Sequence, residues 1–442
     1  MLKKIKLKKL FGRFDYNIKL NDNGITIITG PNGYGKSTIL TILDEFCNKG
    51  LIPILRHSFD SIIFFTDKDE LTIKKLKEHY KIDDITFSYP NNSKYSRYLN
   101  MHPYLKKIND DEFINLKTNE HIIIDNFKIN FNDYKIYNEY ELLDFPNFDD
   151  KFLSKSKSDA QSSKKKIIQK IDLIRTEIGH VSFIKEQRLI DRKIIQDERR
   201  PYSTAKFEYI STISDNSEKL KKEIEKVMGL HSALANELDS SYIIRLFETK
   251  TSIDEKNFDD NLKELQEKQK KLNHYGLAEI KNFSKLLYMK KFAIDLYVYF
   301  EDTKKKYNVF ESLISKLELY ESIVNKKLSF KQMKLSRENG ISIVTNEGDN
   351  LELTSLSSGE QEILVLYYKL IFESNVNVLL IDEPEISLHV AWQKEILDDL
   401  KKIVELNKNI QVIVSTHSPQ IISGNLDIQI DLGEQYNGWF NT

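Results

Sequence analysis

Apolar residues open the chain in a near-alternating pattern. Ile5, Leu7 and Leu10 begin it, Phe11 to Leu20 continues it, and Ile25 to Ile28 is a short apolar run. Alternation predicts strands with one buried face, and the short run predicts a buried strand. A Gly-rich turn follows, and then a helix from about Lys36 to Phe46. Between about 51 and 150, strand-like runs at Ile62 to Phe65, Ile122 to Asp125 and Phe127 to Phe131 lie among Asn- and Asp-rich turns. They predict an antiparallel β elaboration beside the first strands.

Residues 154–166 are polar, Ser-rich and basic, which predicts a solvated loop. Val181 to Ile184 predicts a strand. From about 214 to 328 the period changes. Leu220, Ile224, Val227, Leu234 and Leu238 fall at steps of three, four or seven, as do Phe258, Leu262, Leu265 and Leu272, and Phe310, Leu313, Leu317, Tyr320 and Val324. Charged residues fill the gaps, so the pattern predicts an antiparallel helical hairpin or bundle. Each arm is at most about 40 residues, or roughly 60 Å long. After about 330 the order is strand (Ile341 to Val344), helix (Glu360 to Phe372), strand (Val378 to Ile381), helix (Trp392 to Leu406) and strand (Ile410 to Val414). That alternation predicts an α/β sheet wrapped by helices. The chain reads as an N-terminal lobe over 1–205, a helical insertion over 206–330 and a C-terminal lobe over 331–442.

Composition narrows the classes. At 442 residues the chain exceeds one compact core, and 40% hydrophobic with 30% charged residues is an ordinary globular mixture. The formal net charge of -1 removes any global bias toward nucleic acid, so such a surface would be a local patch. The single cysteine, Cys47, cannot form an internal disulfide, and a small core residue is its expected role. A reducing, cytoplasmic setting is expected. The basic N-terminus (Lys3, Lys4, Lys6, Lys8, Lys9) is followed by no unbroken apolar stretch, so no signal peptide is expected. No apolar run approaches the roughly 20 residues that span a bilayer, so no membrane partner is expected.

Four motifs carry chemistry. Gly30-Pro31-Asn32-Gly33-Tyr34-Gly35-Lys36-Ser37 matches G-x-x-x-x-G-K-[ST] between a strand and a helix. Its glycines let backbone amides turn inward onto phosphate oxygens, at the positive end of a helix. Lys36 is placed to reach the β- and γ-phosphates, and the Ser37 hydroxyl to ligate Mg²⁺. Val378 to Ile381 then brings Asp382 and Glu383 to the end of a buried strand. Asp382 suits Mg²⁺ through water, and Glu383 suits a general base on the attacking water. The turn Ser355-Leu356-Ser357-Ser358-Gly359-Glu360-Gln361 opens a helix and makes a second anion site. On one subunit that site is redundant unless it faces another molecule's nucleotide. Last, His417 follows the Ile410 to Val414 strand, where it can donate to a γ-phosphate.

Together these segments resemble the Walker A, signature, Walker B and switch-histidine motifs of ABC-type ATPases, over roughly residues 1–50 and 340–425. The resemblance implies a P-loop α/β fold that binds ATP through Gly30 to Thr38, with Ser357, Gly359 and Glu360 of another copy capping the nucleotide. It implies Mg²⁺ at Ser37, Gln187 and Asp382, where Gln187 resembles the Q-loop glutamine. It also implies catalysis by Glu383 with His417, and a head-to-tail homodimer or higher even oligomer. The signature reads Leu-Ser-Ser-Gly-Glu rather than Leu-Ser-Gly-Gly-Gln, a variation seen in SMC- and RecF-like proteins. Lys36 and Ser357 are 321 residues apart, which resembles SMC, RecF and OLD-like proteins rather than a transporter engine. Asp382 to His389 is most similar to the OLD-like group of anti-phage systems. The short stretch after His417 leaves no room for the Toprim nuclease domain of OLD proteins. That resembles stand-alone ATPase subunits of defence pairs such as PARIS and Septu. The resemblance thus implies a sensor or scaffold holding a separate Toprim-like or HNH nuclease, released or licensed by a viral protein trigger. The alternative is a RecF- or SMC-like repair ATPase that grips DNA directly, with Lys155 to Lys166 as a contact.

Overall fold

The computed structural model describes residues 1–21, 24–76, 80–82, 85–87, 105–109, 112–115, 120–123, 130–131, 134–135, 157–195, 206–278, 287–373, 376–407, 410–422 and 424–437. The chain divides into two compact units, one of residues 1–187, 192–209 and 373–442, the other of 188–191 and 210–372.

The first unit holds a five-stranded sheet in the order Val181–Ile184, Val378–Asp382, Gln411–Ser415, Ile25–Thr29, Gln429–Asp431. Every pairing is parallel, and Asp382 stands level with Ser415, which stands level with Ile28. All five residues of three of these strands are buried, as expected of a sheet covered on both faces. A second, antiparallel sheet runs Phe14–Lys19, Leu2–Leu10, Ser61–Thr66, Glu70–Lys75, Tyr80–Ile82, Ile85–Phe87. In Leu2–Leu10 the apolar spacing is three, two, three rather than strictly two. Register shifts near Leu2 and between Leu7 and Leu10 re-aim the side chains, so Leu2, Ile5, Leu7 and Leu10 all reach the core. The helix Lys36–Asp44 buries Ile39, Leu40, Ile42 and Leu43 in one core with residues of both sheets. The β elaboration continues as three antiparallel strands, Leu105–Asn109, Glu112–Asn115 and Glu120–Ile123. The strand expected at Phe127 to Phe131 appears as Asn130–Phe131, with 124–129 outside the described residues.

The loop expected at 154–166 is corrected. From Lys157 to Ile178 the chain is one helix, while 154–156 lie outside the described residues. The Ser/Lys run is the start of an amphipathic helix whose later turns bury Ile171, Ile174 and Ile178, at helical spacing, in the first unit's core. Arg175 Nε also donates to Phe46 O at 2.6 Å. Likewise the helix expected over Trp392 to Leu406 is two pieces, Val390–Gln393 and Ile396–Leu406.

The second unit carries the helical insertion. Thr212–Glu248 and Ala293–Lys327 have 37 and 35 residues, each somewhat over 50 Å long. His231 meets Phe310, Asp239 meets Lys306 and Arg245 meets Asp302, so one number rises as the other falls and the helices are antiparallel. Glu255–His274 runs with the second of them, pairing Phe258 with Phe300, Lys271 with Glu318 and His274 with Glu321. An antiparallel sheet of Lys331–Ser336, Gly340–Thr345 and Asn350–Leu351 follows, then the helix Ser358–Phe372. Tyr320 OH donates to Leu364 O at 2.9 Å and ties that helix to Ala293–Lys327. No described helix is long and apolar enough to cross a membrane.

One buried ion pair of this unit predicts a measurable effect. Arg188 is 1% exposed, and its Nε donates to the buried carboxylate of Glu362. Removing one partner of a buried ion pair takes away its counter-charge, which costs about 3 kcal/mol or more, whereas an apolar pair of similar volume is near neutral. Glu362→Leu therefore lowers the denaturant midpoint strongly, and adding Arg188→Met recovers most of the loss. A double variant as unstable as the single one contradicts this.

Candidate functional site

The site is built where the strands Ile25–Thr29, Val378–Asp382 and Gln411–Ser415 end side by side. Parallel strands deliver their carboxyl ends to one edge, which is where loops of such sheets meet ligands. The loop from Gly30 to Gly35 leaves the first strand, and at two of its glycines any side chain would be strained. Gly30 has φ +140° and a Cβ there would lie 3.1 Å from Leu432 Cβ. Gly35 has φ +88° and a Cβ would lie 3.0 Å from Leu10 Cδ2. Between them Pro31, Asn32 and Gly33 are exposed. Tyr34 is held from behind, because Tyr16 OH donates to its carbonyl at 2.7 Å and its ring packs against Phe14 and Tyr436. The loop is therefore braced on its core side and open on the other.

Lys36 begins the helix and is only 4% exposed. Its Nζ donates to Gly30 O at 3.0 Å and touches the His417 imidazole. Burial lowers its pKa, and the charges of Glu383, Asp382, Glu385 and Asp431 act against that shift. Ser37 Oγ donates to Asp382 Oδ1 at 2.9 Å, and Ser415 Oγ donates to the same oxygen. The next residue, Glu383, is 9% exposed with a left-handed backbone at φ +45°, and its N–H donates to Ser415 O at 2.9 Å. That conformation is uncommon for a side chain with a Cβ and belongs with functional turns. Burial first, and then the neighbouring Glu385 carboxyl, push the Glu383 pKa up to about 8. His417 Nε2 lies 3.1 Å from Glu383 Oε1. Burial and then the Lys36 charge lower the His417 pKa.

The structure therefore gathers two contacting sets from both ends of the sequence, Lys36 with His417 and Glu383, and Ser37 with Asp382. Thr38 follows on the same helix. Gln187 is exposed, three residues past Val181–Ile184, whose last residue is level with Ile381. No contact of Gln187 with Ser37 or Asp382 brings it into this group.

The second predicted anion site lies in the other unit. Ser357 precedes the helix Ser358–Phe372. Its N–H and Oγ donate to Glu360 Oε2 at 3.0 and 2.8 Å, and Glu360 N–H donates back to Ser357 Oγ at 3.4 Å. This is a reciprocal capping box, a signature readable in Ser-x-x-Glu. Lys331 adds an ion pair to Glu360 at 2.9 Å. Burial raises the Glu360 pKa, but the Lys331 and Ser357 hydrogen bonds outweigh it and the net shift is downward. An ionised carboxylate thus occupies the Ser357 donors, and an incoming anion must displace it.

Among the described residues no cluster of three or more His, Cys, Asp or Glu is arranged to hold a metal alone. The hydroxyl of Ser37 beside the carboxylate of Asp382 fits Mg²⁺, which keeps waters and phosphate oxygens and takes few protein ligands. Ser37 Oγ and Asp382 Oδ1, already 2.9 Å apart, are the two protein oxygens that would hold it. Once there, it would neutralise charge on the phosphates.

Comparisons with known proteins agree with this chemistry. A family described as AAA ATPase domain matches residues 1–422. A retron Ec83 probable ATPase of Escherichia coli is 38% identical over 104 residues, 21% of this chain and 19% of that protein. A DNA double-strand break repair Rad50 ATPase of Sulfurisphaera tokodaii is 30% identical over 102 residues, 22% of this chain and 11% of that protein. The matched parts thus span a fifth or less of these relatives. A crystal structure of the Smc head domain with an extended coiled coil bound to the C-terminal domain of ScpA, from Pyrococcus furiosus, covers 96% of this chain and 91% of its own at TM-score 0.36 and 16% identity.

Proposed function

Because the chain belongs to the AAA ATPase domain family, as an SMC/RecF-like ABC-type ATPase, we propose that it is the ATP-hydrolysing sensor or scaffold subunit of an anti-phage complex. The observation that carries the catalytic part is the meeting of Lys36, Ser37, Asp382, Glu383 and His417 at one sheet edge. Lys36 and the loop amides bind and orient the β- and γ-phosphates. Ser37 and Asp382 would hold Mg²⁺, and Gln187, which stands outside this group, would join it only as the Q-loop resemblance implies. Glu383 accepts a proton from the attacking water, and His417 donates to the γ-phosphate. Ser357 of a second copy, with Gly359 and the helix N-terminus, closes over the same phosphate once Glu360 lets go. ATP binding favours closed dimers and hydrolysis reopens them, which requires the closed state to bind ATP more tightly than the open one.

The defence role has two supports. Asp382 to His389 resembles OLD-like ATPases of anti-phage systems, and one local relative is a retron ATPase. The partner is a separate nuclease of Toprim-like or HNH type, and the trigger a viral protein. The local match to a Rad50 repair ATPase favours a second reading, direct DNA gripping. Co-expression with the neighbouring gene product separates them. The defence reading expects a nuclease that copurifies through high salt, and cells that lose phage protection on Lys36→Ala. The repair reading expects DNA affinity falling steeply with salt and no nuclease partner.

A further inference from the structure

The turn after Glu383 contains a second acid with an unusual set of partners. Glu385 Oε1 accepts from Thr416 Oγ1 at 2.5 Å, from His417 N–H at 2.8 Å and from Ser418 N–H at 2.9 Å. Three consecutive residues of one loop thus converge on a single oxygen 31 to 33 positions away in sequence. The His417 N–H is shared, since it also reaches Glu383 Oε2 at 3.2 Å. Among the described residues, Glu385 Oε2 is buried and has no hydrogen-bond partner. The turn is itself fixed. Leu388 N–H donates to Glu385 O at 3.0 Å, Gln393 Nε2 donates to Leu388 O at 3.0 Å, and Ser418 Oγ donates to Gln393 Oε1 at 2.8 Å.

We propose that Glu385 is a positioning residue for hydrolysis, which clamps the Thr416–Ser418 backbone and so sets where the His417 ring and the Glu383 carboxyl stand. The backbone of His417 hangs from Glu385, and its Nε2 reaches Glu383 Oε1 and Lys36. Without the clamp the loop keeps Thr416 N–H on Ile28 O at 3.1 Å, His417 N–H on Glu383 Oε2 at 3.2 Å and Ser418 Oγ on Gln393, but it loses the one oxygen that Thr416, His417 and Ser418 share. Misplacement of such groups by about 1 Å can cost on the order of 100-fold in rate. The clamp needs an acceptor oxygen rather than a charge, because its three donors are neutral. An amide at 385 supplies that oxygen.

This rests on the assignment of Glu383 and His417, which Glu383→Gln tests separately. Full turnover in that variant sinks the base assignment, whereas the clamp is read from the contrast between two substitutions at 385. ATP turnover by the full-length chain is measured for both. Glu385→Ala is expected to lower kcat by about 10- to 100-fold with KM for ATP within about threefold. Glu385→Gln is expected to keep kcat within about threefold of the unaltered protein. Equal loss in both variants makes charge the cause and overturns the clamp, and so does full activity in Glu385→Ala. If the alanine variant does not fold, Thr416→Val removes one donor at nearly constant volume. It is expected to lower kcat about 3- to 10-fold, and an unchanged kcat overturns the proposal.

Discussion

Lys36→Ala weakens ATP binding by about 100-fold or more. A hydrogen bond to a charged group contributes about 1.5–3 kcal/mol, and the ammonium is placed to serve two phosphates. The loss has a second part inside the protein. Lys36 is the cation buried among Asp382, Glu383, Glu385 and Asp431, so its removal leaves like charges facing one another. The variant is therefore also expected to be less stable without nucleotide. Titration with a fluorescent ATP analogue, checked by circular dichroism for retained folding, reads the two effects apart. A folded variant with unchanged affinity removes the phosphate-loop assignment.

Glu383→Gln lowers kcat by on the order of 100- to 10,000-fold while leaving ATP bound. The amide keeps the shape of the base but cannot take the proton, so the ATP-bound, closed assembly lives longer. Gel filtration with ATP and Mg²⁺ is expected to show a larger, longer-lived species than the unaltered chain gives. No change in assembly or lifetime contradicts the two-copy site. The same substitution has a pH signature. The Glu383 pKa rises from 4.5 to about 8 on folding, so the folded state holds this proton more tightly than the unfolded one. Its contribution to stability is full below about 4.5 and is lost as pH rises through about 8. Melting of the nucleotide-free protein between pH 5 and 8.5, a window set by those two values, is expected to show a flatter decline for Glu383→Gln. Parallel curves would place the raised pKa elsewhere.

The catalytic group was legible in sequence because each member closes a buried strand. Ile25 to Ile28 before Gly30, Val378 to Ile381 before Asp382 and Ile410 to Val414 before Ser415 are apolar runs cut off by polar or glycine residues. Parallel pairing then brings the three ends together whatever lies between them. The helical insertion was legible from its spacing. The stripe Phe258, Leu262, Leu265 and Leu272 marks its third helix as well, but not its place beside Ala293–Lys327, because seam spacing fixes which face is apolar and not which neighbour shares it. The helix Lys157–Ile178 is hidden in sequence because its first ten residues, rich in Ser and Lys, resemble a loop. The docking isoleucines come only in its last turns. Glu385 carries no mark in sequence, because its partners are the Thr416 hydroxyl and the amides of His417 and Ser418, 31 to 33 residues away. The Ser357–Glu360 capping box was there to be read, and it shows the signature serine held by its own helix.

The central claim is that one copy's Lys36 and another copy's Ser357 share a nucleotide. Mixing Lys36→Ala chains with Ser357→Arg chains tests it directly. Each variant alone has no complete site. In mixed dimers the intact Lys36 of one copy meets the intact Ser357 of the other. Random pairing then restores about a quarter of the sites, and about that share of ATP turnover returns. A mixture as inactive as its components, although mixed dimers form, would contradict the shared site.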